Sequence, residues 1–244
     1  MVSPDQADQR IVAEEIRKAT MTRGTLYRVL SRGFGLEVDE AFLEWMILLE
    51  PTISQLADTA GSRSFSRGSK LLKSFVADAK KNYEKDKGKF LRGLASEYES
   101  LFLNVGPKPV YLIESLYLEK NNRHLLYEEP FYDAMRTYQH YGFKRRSSFK
   151  EPEDHLAIEL EFMAHLCDVT CLSLEQDNHE KGAGYLNSQV EFLRSHLSRW
   201  VPKLVSKLGE SSKNELYLAL GELLGGFTRT DPLTASEFAK ELTF

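Results

Sequence analysis

The sequence predicts an all-α protein, a single helical bundle of about nine helices. Three observations carry that reading. Apolar residues recur at three- and four-residue steps through most of the chain. Helix-start signals, a polar or acidic residue followed by proline, recur at Ser3-Pro4, Glu129-Pro130, Glu151-Pro152 and Asp231-Pro232. The one long interruption, residues 104–122, holds only Val110-Tyr111-Leu112-Ile113 as an apolar run, too short to build a sheet. A chain of 244 residues, 42% hydrophobic and 28% charged, has enough material for one large core.

The elements follow in order. Ser3, Pro4 and Gln6 give a cap, a first-turn proline and the start of a capping box, and the first helix is expected to run to about Ser31, ended by Gly33 and Gly35. Residues 38–49 form a second helix stopped by Pro51. Residues 71–83 and 90–103 continue the pattern on either side of Lys85-Asp86-Lys87-Gly88. Gly106, Pro107 and Pro109 then forbid a regular helix. A further helix opens at Glu129-Pro130 and ends at Gly142, and a basic loop of residues 144–150 leads to the helix of residues 152–174. The polar stretch 175–184 reads as a surface linker. Beyond it Leu186, Val190, Leu193, Leu197, Val201, Leu204 and Leu208 form an amphipathic series, and residues 215–224 and 233–242 finish the chain.

Composition narrows the function classes. A net charge of −4 weighs against nucleic acid as the main partner. The densest apolar run, Trp45-Met46-Ile47-Leu48-Leu49, falls far short of the roughly 18 residues of a membrane span. The first residues lack the basic and apolar regions of a secretory leader, so the expected compartment is the cytoplasm. Cys167 and Cys171 stand four apart, not at the spacing of zinc or redox pairs, and read as small buried residues.

Residues 151–163 are the most informative segment. On a helix, Leu156, Leu160, Met163, Cys167 and Leu174 make one apolar stripe, and Ile158, Phe162, Leu166 and Val169 a second. His155 and Glu159 fall between the stripes, on the side the helix must bury. Asp154, Glu161, His165 and Asp168 fall on the polar side. A buried ionisable pair costs stability unless each group finds a partner, so His155 and Glu159 require a reason.

Glu151-Pro152-x-Asp154-His155-Leu156-Ala157-x-Glu159-Leu160-x-Phe162-Met163 resembles the signature of the TorD/DmsD/NarJ family, chaperones of molybdenum-cofactor oxidoreductases. Glu97-Tyr98-x-x-Leu101-Phe102, with Pro109 and Glu114-Ser115-x-Tyr117, resembles that family's first motif and its proline-containing loop. Phe192-x-x-x-His196-Leu197-x-x-Trp200 resembles its late helix. The resemblance implies an all-α fold, no catalysis and no cofactor of its own. It implies two partners: the twin-arginine leader and the mature catalytic subunit of a molybdoenzyme, which is held unexported until its cofactor is inserted. By motif position it places Pro152, Asp154 and His155, with Pro109, Ser115 and Tyr117, at the peptide site.

Each signal has a competing account. Glu151, Glu153 and Asp154 could receive guanidinium groups or simply complement the helix dipole. Glu151 is counted with the peptide site, and Glu159 is expected to orient His155 as structural support. The alternative is a metal-dependent enzyme built on His155 and Glu159, which stand at a spacing that could face one ion. No third ligand is evident: His165 points away, and His179 and His196 have no ligand spacing around them. Arg145-Arg146-Ser147-Ser148-Phe149-Lys150 resembles the RRxxF core of the very leaders such chaperones recognise. It is either a solvated basic loop or a pseudo-ligand folded into the neighbouring acidic groove. Tyr111, Tyr117, Tyr127, Phe131 and Tyr132 are candidates for the groove wall or the core. A hinge within 175–184 would permit a domain-swapped dimer as well as a monomer.

Overall fold

The computed structural model describes residues 4–59, 61–118, 129–145 and 147–243. Among these the chain folds into nine helices and no strand: α1 (Pro4–Gly35), α2 (Glu40–Thr59), α3 (Arg63–Phe102), α4 (Ser115–Leu118), α5 (Glu129–His140), α6 (Leu156–Glu175), α7 (His179–Ser195), α8 (Leu197–Ser211) and α9 (Glu215–Glu241). The expected cap at Ser3, together with Tyr127 and Arg146, lies outside the described residues.

α6, the most apolar helix, takes the centre together with α9. α6 buries residues around its whole circumference and packs along α1 on one side and α7 on another. α9 packs against α3, α7 and α8. One continuous core joins Tyr27, Phe34, Phe162, Phe192, Trp200 and Tyr217, and a smaller cluster seals the far end around Ile16, Leu186 and Ala235. The close approach of α1 to α6 depends on glycine. A methyl group at Gly24 would stand 3.1 Å from the Cys167 Cβ, and one at Gly35 would stand 3.0 Å from the Ala157 Cβ. Gly33 and Gly35 therefore serve packing, and α1 runs on to Gly35 instead of stopping at Ser31.

Several expected boundaries move, each for a physical reason. α2 starts where Asp39 accepts a hydrogen bond from the Phe42 N–H at 2.8 Å, and it continues through Pro51. Pro51 sits on the exposed side, where water can take the carbonyl it frees. α3 begins at Arg63, capped by Ser62, well before residue 71. The charged break at residues 85–88 is present as a kink: Asp86 leaves helical geometry and accepts from the Lys89 N–H at 2.9 Å, restarting the helix. α6 begins at Leu156, so Pro152, Glu153 and Asp154 precede it and His155 caps it. Only Gln176 to Asn178 separates α6 from α7, and the remainder of the expected 175–184 linker is helix.

The amphipathic series from Leu186 to Leu208 divides at His196 into α7 and α8. The two expected C-terminal helices are one. Asp231-Pro232 lies inside α9, where proline removes the donor that would serve the Thr228 carbonyl four residues back. Ser198 Oγ donates to that carbonyl instead, at 3.3 Å.

Candidate functional site

Two motif segments far apart in sequence lie side by side. After α3, Val110 donates to the Leu101 carbonyl and turns the chain inward, burying Val110 and Leu112. Ile113 then pairs with His155 in a short antiparallel bridge. Glu114 N–H donates to the Asp154 carbonyl at 2.9 Å, and Leu156 N–H donates to the Leu112 carbonyl at 2.7 Å. The proline-containing loop and the start of α6 thus form one unit.

The conspicuous side chains of that unit face inward. Asp154 is fully buried, not on a polar face as its helical position suggested, because no helix exists there yet. One carboxylate oxygen accepts from the Ser115 N–H at 3.0 Å and so caps α4. Burial raises its pKa, opposed by the hydrogen bonds from Ser115. Ser115 is buried as well. His155 Nδ1 accepts from the Ala157 N–H at 3.1 Å, and burial pushes the imidazole down to about 3, keeping the ring neutral. The edge of the Phe149 ring meets the His155 ring at 5.3 Å. Tyr117 donates to the Tyr111 carbonyl and lies 5.4 Å from the Trp200 ring. Pro109, Pro152 and Tyr117 are half-buried, and Glu151 is exposed.

The hydrogen bonds of Glu159 and His155 go to different partners: His155 to the Ala157 N–H, Glu159 to α8. Trp200 Nε1 donates to Glu159 Oε2 at 3.1 Å. Burial, reinforced by the neighbouring Glu114, holds the Glu159 carboxyl well above the usual carboxylate range. His196 Nδ1 lies 2.7 Å from Glu114 Oε2, and its Nε2 faces Asp133 at 3.4 Å. Glu114 Oε1 and Glu159 Oε1 have no other partner, so a proton on Glu159 shared with Glu114 satisfies both.

These are the site residues that sequence spacing missed. Glu114 and His196 stood in recognised motifs, but nothing in the chain announced that residues 82 apart would touch. Their ligand atoms and that of Glu159 lie within 4.8 Å of one another. The 2.7 Å contact is nevertheless a hydrogen bond, whereas two donors on one tetrahedral ion at about 2.1 Å stand roughly 3.4 Å apart. The cluster reads as a proton-sharing network. It ties the 113–115 segment, α6 and the α7–α8 junction together.

Beside this unit opens a groove of about 590 Å³ between the end of α1, the start of α2 and the loop before α6. Leu36, Phe42, Trp45, Phe149 and Ala157 supply its apolar wall, and Arg28, Arg32, Asp39 and Glu161 are its charged residues. Arg32 crosses the Phe42 ring at 4.9 Å and pairs with Asp39 at 2.8 Å. Glu153, in the loop that carries Phe149, accepts from the Nε–H of Arg145 at 2.8 Å.

The family model described as nitrate reductase delta subunit matches residues 64–206. The chain belongs to this family, the TorD/NarJ family. Among curated relatives, a protein named Chaperone protein TorD from Shewanella piezotolerans is 29% identical over 227 residues, covering 90% of this chain and 94% of its own. The same-named protein of Vibrio cholerae is 30% identical over 149 residues, 61% of this chain and 64% of its own. That of Aliivibrio fischeri is 29% identical over 138 residues, where the match spans 57% of this chain and 62% of the relative. No solved structure matches the chain.

Proposed function

We propose that this protein is a cytoplasmic maturation chaperone, without enzymatic activity, for a molybdoenzyme catalytic subunit. It binds the subunit's twin-arginine leader, contacts the mature subunit as well, and delays export until the cofactor is in place. The observation that carries the reading is the groove walled by Leu36, Phe42 and Trp45 and holding Asp39 and Glu161, with Glu151 and Glu153 in the same loop that brings Phe149 to it. A leader joins a pair of arginines to an apolar segment, and that ligand needs carboxylates next to a hydrophobic wall. The relatives named as chaperones support a binding role. No helix among the described residues is long and apolar enough to cross a membrane.

The burial of Asp154, His155 and Ser115 gives these motif residues a supporting part in the proposal. They fasten the proline-containing loop to α6 and so fix the backbone on which Glu151 and Glu153 stand. Direct contact belongs to these two carboxylates and to the wall made by Leu36, Phe42, Trp45 and Ala157. Calorimetric titration with a synthetic twin-arginine leader and its twin-lysine counterpart tests the reading. Preference for arginine by at least about tenfold is expected from the loss of bidentate contacts in lysine. Equal binding of the two, or binding of neither, would overturn it.

A further inference from the structure

The loop before α6 carries Arg145 and Phe149, four residues apart, the spacing between the first arginine and the phenylalanine of an RRxxF leader core. Both side chains are engaged, one by a carboxylate and one by an apolar seat. Arg145 Nε donates to Glu153 Oε1 at 2.8 Å, in a pair whose side chains are only 30% and 20% exposed. Its Nη1 donates to the Phe149 carbonyl, which closes the loop on itself. The Phe149 ring packs edge-on against His155. It also approaches to 3.8 Å the point where a Cβ on Gly35 would stand, at the end of the groove beside Ala157.

We infer that Arg145 and Phe149 are an internal stand-in for the first arginine and the phenylalanine of the leader core, seated in the leader's own site and displaced when the leader binds. The inference rests on the leader-binding reading of the groove. It assigns two subsites: Glu153 receives an arginine, and the seat between Gly35, His155 and Ala157 receives a phenyl ring. Physical arithmetic makes the device effective with weak contacts. A tethered segment has an effective concentration of about 1 mM, so an intrinsic dissociation constant of about 100 µM keeps roughly nine sites in ten covered. The apparent affinity for an incoming leader falls by the fraction left open, here about tenfold. The chaperone would then discriminate against weak leader-like segments, because a ligand must outcompete the internal one.

Arg145→Gln and Phe149→Ala in the full-length chain, each checked for an unchanged circular-dichroism spectrum, test the inference by calorimetric titration. The probe is a synthetic leader with an Arg-Arg-x-x-Phe core and about 15 following apolar residues. Each variant should bind it about tenfold more tightly than the wild type. A free peptide of residues 143–150, added at about 1 mM, should return the double variant to wild-type affinity. Arg145→Gln lies outside the core, so it keeps the test informative if Phe149→Ala fails to fold. Unchanged or weaker binding by the variants, with the wild type still preferring arginine over lysine, would sink the stand-in and spare the leader reading. Failure of wild type and variants alike to bind the leader would overturn both.

Discussion

At the scale of single residues, His155 shows how burial selects one role for an imidazole. Its Nδ1 lone pair accepts the Ala157 N–H, so this nitrogen must stay unprotonated for the cap to hold. Burial enforces that state by moving the pKa from 6.5 to about 3. The folded protein therefore binds fewer protons than the unfolded chain between those values. Stability from this group is fully present above about pH 6.5 and is lost as pH falls toward 3. Between pH 7 and pH 5 the loss is about 2 kcal/mol. Asp154 and Glu159 act in the opposite sense: their pKa values are raised, so their burial costs stability as pH rises above the carboxylate range. Comparison with His155→Asn isolates the histidine, because asparagine can cap the helix but does not titrate. Urea denaturation should show the wild type losing about 2 kcal/mol more than the variant between pH 7 and pH 5. Parallel curves would mean that the imidazole is solvated. The identity of this residue was legible in the sequence, but its job was not. Spacing placed His155 within a helix on the same face as Glu159, whereas the chain turns at residues 152–155 and the extended backbone of His155 aims its Nδ1 at the Ala157 N–H.

At the scale of elements, the interior network decides how α6 meets α8 and the proline-containing loop. Glu159 is held in its neutral form, which accepts from Trp200 with one oxygen and donates a proton toward Glu114 with the other. Glutamine has the same shape and the same two capacities. Glu159→Gln should cost less than about 1 kcal/mol, while Glu159→Ala strands a buried indole N–H and a buried carboxylate and should cost about 2–4 kcal/mol. Urea denaturation at pH 7 separates the two, and equal losses would show that the carboxylate is charged. Helix existence was legible because buried faces repeat with the helical period, and the apolar series from Leu186 to Leu208 is buried throughout. Helix ends were less so, because they depend on partners elsewhere. Proline at 232 reads as a start until Ser198, on another helix, is seen to serve the freed carbonyl. The groove was illegible for the same reason. Leu36, Trp45 and Phe149 come from three separate segments, and no periodicity links them.

At the scale of the whole molecule, the first and last helices are joined by a buried charge. Arg23 of α1 makes a two-pronged contact with Asp231 of α9, at 2.6 and 2.8 Å, and its Nη2 also donates to Gln189 of α7 at 2.7 Å. Tyr27 donates its hydroxyl to the same Asp231 carboxylate. The position that resembled a helix cap thus closes the bundle across 208 residues of chain. Such a pair contributes little net stability compared with a well-packed apolar replacement, but half of it is costly. Arg23→Met leaves Asp231 and the Tyr27 hydroxyl without their cation, and should destabilise the protein by about 3–5 kcal/mol. Adding Asp231→Leu and Tyr27→Phe removes the stranded groups except Gln189 Oε1, which keeps the Cys167 thiol as donor, and should restore most of that loss. The expected ranking in urea denaturation at pH 7 is wild type and triple variant close together, with Arg23→Met far below. A triple variant as unstable as the single one would mean that the pair fixes the α1–α9 register itself. Groove shape would then depend on it, since α1 supplies Arg28, Ser31 and Arg32 to the lining, and leader affinity would fall along with stability.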